Sequence, residues 1–321
     1  MNIRPTRPGE TKHVPSLADF LTAGFGAFLR RPLVALIPLL LDVWLRYGAR
    51  IAPEPFMGWV GGQLERGATA LGGSDLTPLR ELTSSAAQAD VRLSAVVTQQ
   101  FANLLRSSAV APSGGVSWIP ADGWTLLGLV LALNIGGLVA SSALLVPLGE
   151  TVAGRQGWGL RRILPTAWKL AQLLLLIGGL GLALALPLLA CIVFVFNFSP
   201  LAGQIATITV VLALLVLWLM ASFSIEAIAV NNVSPLVALY QSYNLVRAHS
   251  QTALLLVLAA LIVGQGFALL LRPLVVTDWG ALAASGIYAV LSSTLAAARM
   301  IFYRERVVTL AHATPVALTH K

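Results

Sequence analysis

Few side chains in this 321-residue chain can do chemistry, and those that stand out are ionisable or amide groups inside apolar runs. Glu226 is the only charge between Ile205 and Val230, and Arg299 is the only one between Gly280 and Tyr303. A charge at membrane depth is a candidate for a proton or ion relay, or for an ion pair that locks two helices. Each lies about four residues from the end of its run. The depths therefore match, and a pair between them is expected. An isolated charge costs roughly 2.5–3.5 kcal/mol at a helix centre and less near an interface, so the pair is the plainer reading and the relay the sharper one. Asp42 and Arg46 are spaced i, i+4 and can pair on one helix face. Gln265 lies between Gly264 and Gly266, which allow close backbone approach. Its amide could bond across helices to Asn134, Ser292, Ser293 or Thr294, as glue between helices or as the lining of a path.

Signals for other chemistry are missing. There is no H-E-x-x-H, no G-x-S-x-G and no glycine-rich phosphate loop, and no two carboxylates share an apolar run. No catalytic residue, no enzyme activity and no cofactor are expected. The single cysteine, Cys191, sits mid-run, where a small buried side chain is expected; it permits no internal disulfide and no cysteine metal site. His13, His249, His312 and His320 share no ligand spacing. No metal is expected.

The elements that must position these residues are membrane helices. Hydrophobic residues make up 57% of the chain and charged residues 11%. A soluble domain carries about 25% charge, so a soluble fold would leave too much apolar surface in water. Apolar runs of about 20 residues match the hydrocarbon core of a bilayer. The expected fold class is all-α: an integral membrane helical bundle of about six transmembrane helices with interfacial amphipathic helices beside them.

Residues 1–15 read as a polar tail, and 16–306 as one transmembrane domain. The first apolar run starts late for a cleavable leader, so the first membrane helix is expected to act as an uncleaved insertion signal. Ser16 and Asp19 resemble a capping box opening a helix that carries Leu17, Phe20, Leu21, Phe25 and Phe28 on one face, either interfacial or a short core helix packed under the bundle. The first span is expected from Leu33 to about Tyr47, or from a start inside 16–31 that would give it more length. Residues 48–120 form an extramembrane, mostly helical insertion, with Leu79, Leu82, Ala86, Ala89, Leu93, Val97 and Leu104 on one stripe. That stripe lies on the bundle, lies on the membrane, docks a partner or caps a substrate. Further spans are expected at Trp124–Val146, Leu170–Phe196 with a kink or break near Pro187, Ile205–Val230, Thr252–Leu271 and Gly280–Tyr303. A basic amphipathic stretch at 150–169 and a second amphipathic helix from Leu236 to Val246 lie between spans, and 307–321 is a second tail. Leu17, Leu160 and Leu236 begin three comparable units, each an amphipathic helix followed by a span.

The formal net charge of +8 bears on orientation. No long basic face with stacking aromatics exists, so a nucleic-acid partner is not expected. With the N-terminus inside, cytoplasmic segments hold fourteen Lys and Arg and outer segments seven. Long loops count little in this asymmetry. Both termini are thus expected in the cytoplasm and the protein in the inner cell membrane.

The segment Ala227–Ala260 carries Ala238, Ser242, Leu245 and Val246 in an "A-x-x-x-S-x-x-L-V" pattern, between a polar turn and a second membrane helix. It resembles the multi-pass bacterial membrane domain associated with glycerophosphoryl diester phosphodiesterases and its relatives. The resemblance covers about 70 residues and carries over no catalytic residue, because that family's activity sits in a separate soluble domain. Where the family has an acid just before the polar turn, this chain has Val230 and Asn231. The sequence thus leads to a scaffold, accessory or assembly subunit, whose partners are the lipid bilayer and other membrane subunits. The competing expectation is a small-solute transporter or channel with a polar path near Gln265, Asn134 and Glu226.

Overall fold

The structure, a computed structural model, describes residues 16–70, 77–87, 90–92, 117–120 and 122–313. The chain enters on α1 (Leu17–Leu29), opened by the expected capping box. The Ser16 hydroxyl accepts from the Asp19 amide, and the Asp19 carboxylate accepts from the Ser16 amide at 2.7 Å. Pro32 forces Arg31 out of the helical region, to φ −144° and ψ 63°. After a short 3-10 turn the chain continues as α2 (Leu36–Tyr47), and the two halves meet at 98°.

This bent pair favours the short helix packed in the bundle over the interfacial one. Neither half is long enough to cross a bilayer by itself. The first half is packed into the bundle: at Gly24 a Cβ would stand 2.7 Å from the Thr294 carbonyl oxygen and 2.8 Å from the Ala298 Cβ. Only glycine admits that approach.

A two-residue parallel bridge joins β1 (Arg50–Ile51) to β2 (Ser117–Trp118). Between them lie α3 (Glu54–Ala70) and α4 (Thr77–Ala87), which pack on each other. The apolar stripe placed one helix from Leu79 onward; α4 covers its start, α3 was not anticipated, and Ala89, Leu93, Val97 and Leu104 lie outside the described residues.

Five further helices are long and apolar enough to cross a membrane, with the bent pair as a sixth. They are α5 (Gly123–Val152), α6 (Ile163–Phe198), α7 (Pro200–Ala221) with its continuation α8 (Ser224–Asn231), α10 (Ser250–Leu271) and α11 (Asp278–Ala313); α9 (Pro235–Ala248) is the short amphipathic helix before α10. Residues 160–169 form no separate interfacial helix. A single 3-10 turn leads directly into α6, which is helical through Pro187. The three-unit repeat is therefore uneven: a sharp corner in the first unit, continuity in the second, and a break at His249 in the third.

The main core joins α1, α5, α8, α9 and α11 around Phe20, Leu144, Phe223, Ile228 and Phe302. A smaller core at the other end joins α10 and α11 around Ala268, Ala284 and Tyr288. The α6–α7 hairpin stands apart. Its helices touch closely where a Cβ on Gly203 would meet the Phe196 ring, yet most of its side chains face outward. Cys191, expected buried, is among those exposed.

Candidate functional site

The polar side chains of the bundle gather at one end, where α5 stops and α6 begins. The sequence Pro147-Leu148-Gly149-Glu150 closes α5. Gly149 lets that helix end press onto α8, since a Cβ there would sit 2.6 Å from the Ala229 carbonyl oxygen. Glu150 is thereby buried, and it draws in two guanidinium groups. Arg155 reaches its Oε1 at 3.0 Å, and Arg162 contacts the same oxygen.

These cations also complete the end of α8. A helix C-terminus leaves carbonyls without intrahelical partners at the negative end of its dipole. Arg155 donates to the Val230 carbonyl at 3.1 Å and Arg162 to the Ala229 carbonyl at 3.3 Å. Lys169 donates to the carbonyl and side-chain oxygens of Asn232 at 2.6 and 2.8 Å. Asn232 itself takes the left-handed conformation that ends the helix, with φ 56°.

The same device recurs nearby. Arg304 donates to the Val152 carbonyl at the end of α5, and Arg299 to the Ser222 carbonyl at the end of α7. Ser242 of α9 fills the break between α7 and α8: its Oγ accepts from the Phe223 amide at 3.1 Å and donates to the Met220 carbonyl at 2.6 Å. The positions that carried the family resemblance, Ala238, Ser242, Leu245 and Val246, are the buried ones on this helix.

Glu226 and Arg299 come together as their matched depths implied, with Arg299 Nε 2.7 Å from Glu226 Oε1. The second carboxylate oxygen of Glu226 is buried with no hydrogen-bond partner among the described residues. Above this pair, Asn231 donates to the Tyr303 hydroxyl at 2.9 Å, which donates to Gln241 at 2.6 Å. At the corner between α9 and α10, burial and then the neighbouring Arg306 charge push the His249 imidazole below its ordinary pKa.

The remaining candidates lie elsewhere. Arg46 belongs to the opposite end, where it donates to the Val275 carbonyl at 3.1 Å and pairs with Asp278 at 3.5 Å; Asp42 is buried one turn before it. Gln265 faces out of the bundle rather than toward Asn134 or the serines of α11. The glycine step serves Tyr288 instead, whose hydroxyl donates to the Gly264 carbonyl at 2.9 Å. Asn134 donates to Val130 of its own helix at 2.7 Å. Glu226, Asn134 and Gln265 therefore do not assemble into one lining. An open pocket of about 430 Å³ between α1, α10 and α11 is apolar, lined by Leu21, Phe25, Phe267 and Leu291 among others.

Sequence reasoning missed Glu150. The signal was an acid at the end of an apolar span with Arg155, Arg161 and Arg162 close behind. It also missed the buried pair Arg92–Asp90, at 2.6 Å, whose arginine closes α2 by donating to the Trp44 and Gly48 carbonyls at 3.1 and 2.8 Å. Among the described residues no three His, Cys, Asp or Glu side chains stand close enough to hold a metal ion.

Comparisons with family models, with curated proteins and with solved structures returned no match to this chain.

Proposed function

We propose that this protein is a non-catalytic membrane subunit, a scaffold, accessory or assembly component of a larger membrane system. The observation that carries this reading is how the polar groups are used. Arg155, Arg162, Lys169, Arg299 and Arg304 are spent on closing helix ends and on pairing with Glu150 and Glu226. The α6–α7 hairpin offers a broad apolar surface for interaction. The resemblance of Ala227–Ala260 to a membrane domain that accompanies a separate catalytic domain is in keeping with it. The excess of Lys and Arg at the end holding Arg31, Arg162 and Arg304 supports an orientation with that end, and both termini, in the cytoplasm, with the inner cell membrane as location.

The experiment is purification from native membranes in mild detergent, followed by mass spectrometry. A defined partner at constant stoichiometry is the expected result. A protein that consistently runs alone removes the basis of the proposal.

One observation favours small-solute transport instead. The break at Ser222–Phe223 stands beside Glu226, and interrupted helices often carry ion and substrate sites. Flux into proteoliposomes that is abolished by Glu226→Gln, in a variant of unchanged thermal stability, would favour that reading over the first.

A further inference from the structure

The end of the bundle that holds Glu150 carries more cations than its ion pairs and helix ends consume. Arg155 and Arg162 are engaged by Glu150 and by carbonyls of α8, and Lys169 by Asn232. Arg161 is exposed and has no hydrogen bond or ion pair among the described residues. It stands at the head of an apolar stripe: Leu164, Pro165 and Trp168 follow it at i+3, i+4 and i+7, all exposed. Leu164 is 70% and Trp168 64% exposed.

The loop before Arg161 leaves it uncovered. Gly154 and Gly157 hold φ values of 75° and 122°, and a Cβ at either would meet nothing within 4 Å. A second cation borders the same loop. The Arg31 guanidinium stacks over the Trp158 ring at 5.2 Å, and one of its terminal nitrogens is buried without a partner. Trp158 lies three residues before Arg161. An uncommitted arginine at the head of an apolar stripe thus follows, by three residues, the tryptophan on which a guanidinium with a buried unpaired nitrogen stacks.

The geometry points to a binding site for an anionic phospholipid. Arg161, with Arg31 beside Trp158, takes the phosphate of the headgroup, and the acyl chains lie along Leu164 and Trp168. A guanidinium presents a planar fork of donors that matches phosphate oxygens. In the orientation proposed above, on which this inference rests, the anionic cytoplasmic leaflet supplies that phosphate. A free phosphate ester offers the same charge but makes no use of the stripe.

The test measures lipid binding to the full-length detergent-solubilised protein by native mass spectrometry, with phosphatidylglycerol and phosphatidylcholine added at equal concentration. Phosphatidylglycerol is expected to bind preferentially, and Arg161→Gln to weaken it by about fivefold, the effect of one arginine at an anionic membrane surface. Arg161→Lys should retain most of the preference. Trp168→Ala should weaken both lipids, and Arg272→Gln at the opposite end should change neither. Thermal unfolding of each variant shows whether a loss is local. The proposal is overturned if Arg161→Gln leaves the preference intact in a folded protein. It is overturned equally if millimolar inorganic phosphate displaces the lipid while Trp168→Ala is silent, because the site would then serve soluble phosphate.

Discussion

The last helix and the α6–α7 hairpin are both membrane helices, yet they differ in a way that reverses the rule for soluble proteins. In the apolar window of α11, 61% of residues are buried, whereas in that of α6 none of the described residues is. The buried helix carries the more polar and smaller side chains: Ala284, Ser285, Ala289, Ser292, Ser293, Ala297 and Ala298 face its neighbours. The exposed helix presents Leu175, Leu180, Leu182 and Leu189. In hydrocarbon a leucine gains nothing by leaving the surface, whereas small side chains let backbones approach and make contacts that lipid cannot. The Gly24–Ala298 contact and the end of α5 on Ala229 are both of this kind.

The largest expected effect lies on the buried side. Arg299→Ala leaves Glu226 buried without its partner and frees the Ser222 carbonyl, at a cost of about 3–5 kcal/mol. Thermal unfolding in detergent and the yield of monodisperse protein measure it. Gly24→Leu comes next, costing about 1–3 kcal/mol, because the side chain meets the Thr294 backbone rather than a movable tip. Gly181→Leu on the hairpin, where a Cβ meets nothing within 4 Å, is its control and should leave stability unchanged.

Smaller still are Leu182→Ala and Leu212→Ala on the exposed faces of the hairpin. Each should fall within about 0.5 kcal/mol in the isolated protein. A large loss at either would mean that the hairpin is packed. The smallest effect is pH-dependent. The folded His249 has a pKa below its ordinary value of 6.5, so the folded state binds its proton more weakly than the unfolded chain. Stability is therefore full above the ordinary pKa and declines as pH falls through it toward the folded value. Unfolding midpoints should drop on acidification from about pH 7.5 to about pH 5.5, and less so in His249→Ala.

The contrast explains what could be read in advance. The spans were legible because a bilayer demands about 20 apolar residues whatever surrounds them. Glu226 and Arg299 were legible because a lone charge in such a run needs a partner at equal depth. Their burial has nothing to do with average hydropathy, and that is why other positions misled. Cys191 sits in a deeply apolar run and faces outward, since apolarity there marks lipid contact. Gln265 looked central because of its glycines, but Gly264 makes room for the Tyr288 hydroxyl and the amide turns away. The corner between α1 and α2 was written in Pro32, but its direction depends on the fit of Gly24 against α11, which no local pattern encodes. Arg92 escaped notice because it answers carbonyls of a helix remote in sequence, and Glu150 because the arginines it holds, Arg155 and Arg162, answer carbonyls of the remote α8.

The most direct test is residue-resolved photolabelling with a carbene reagent dissolved in the bilayer, applied to the purified protein in liposomes. Label should fall along Leu175 to Trp218, on the outward faces of α6 and α7, and spare the Ala281–Ala298 face of α11. Equal labelling of the two, or a hairpin protected in the isolated protein, would contradict the account.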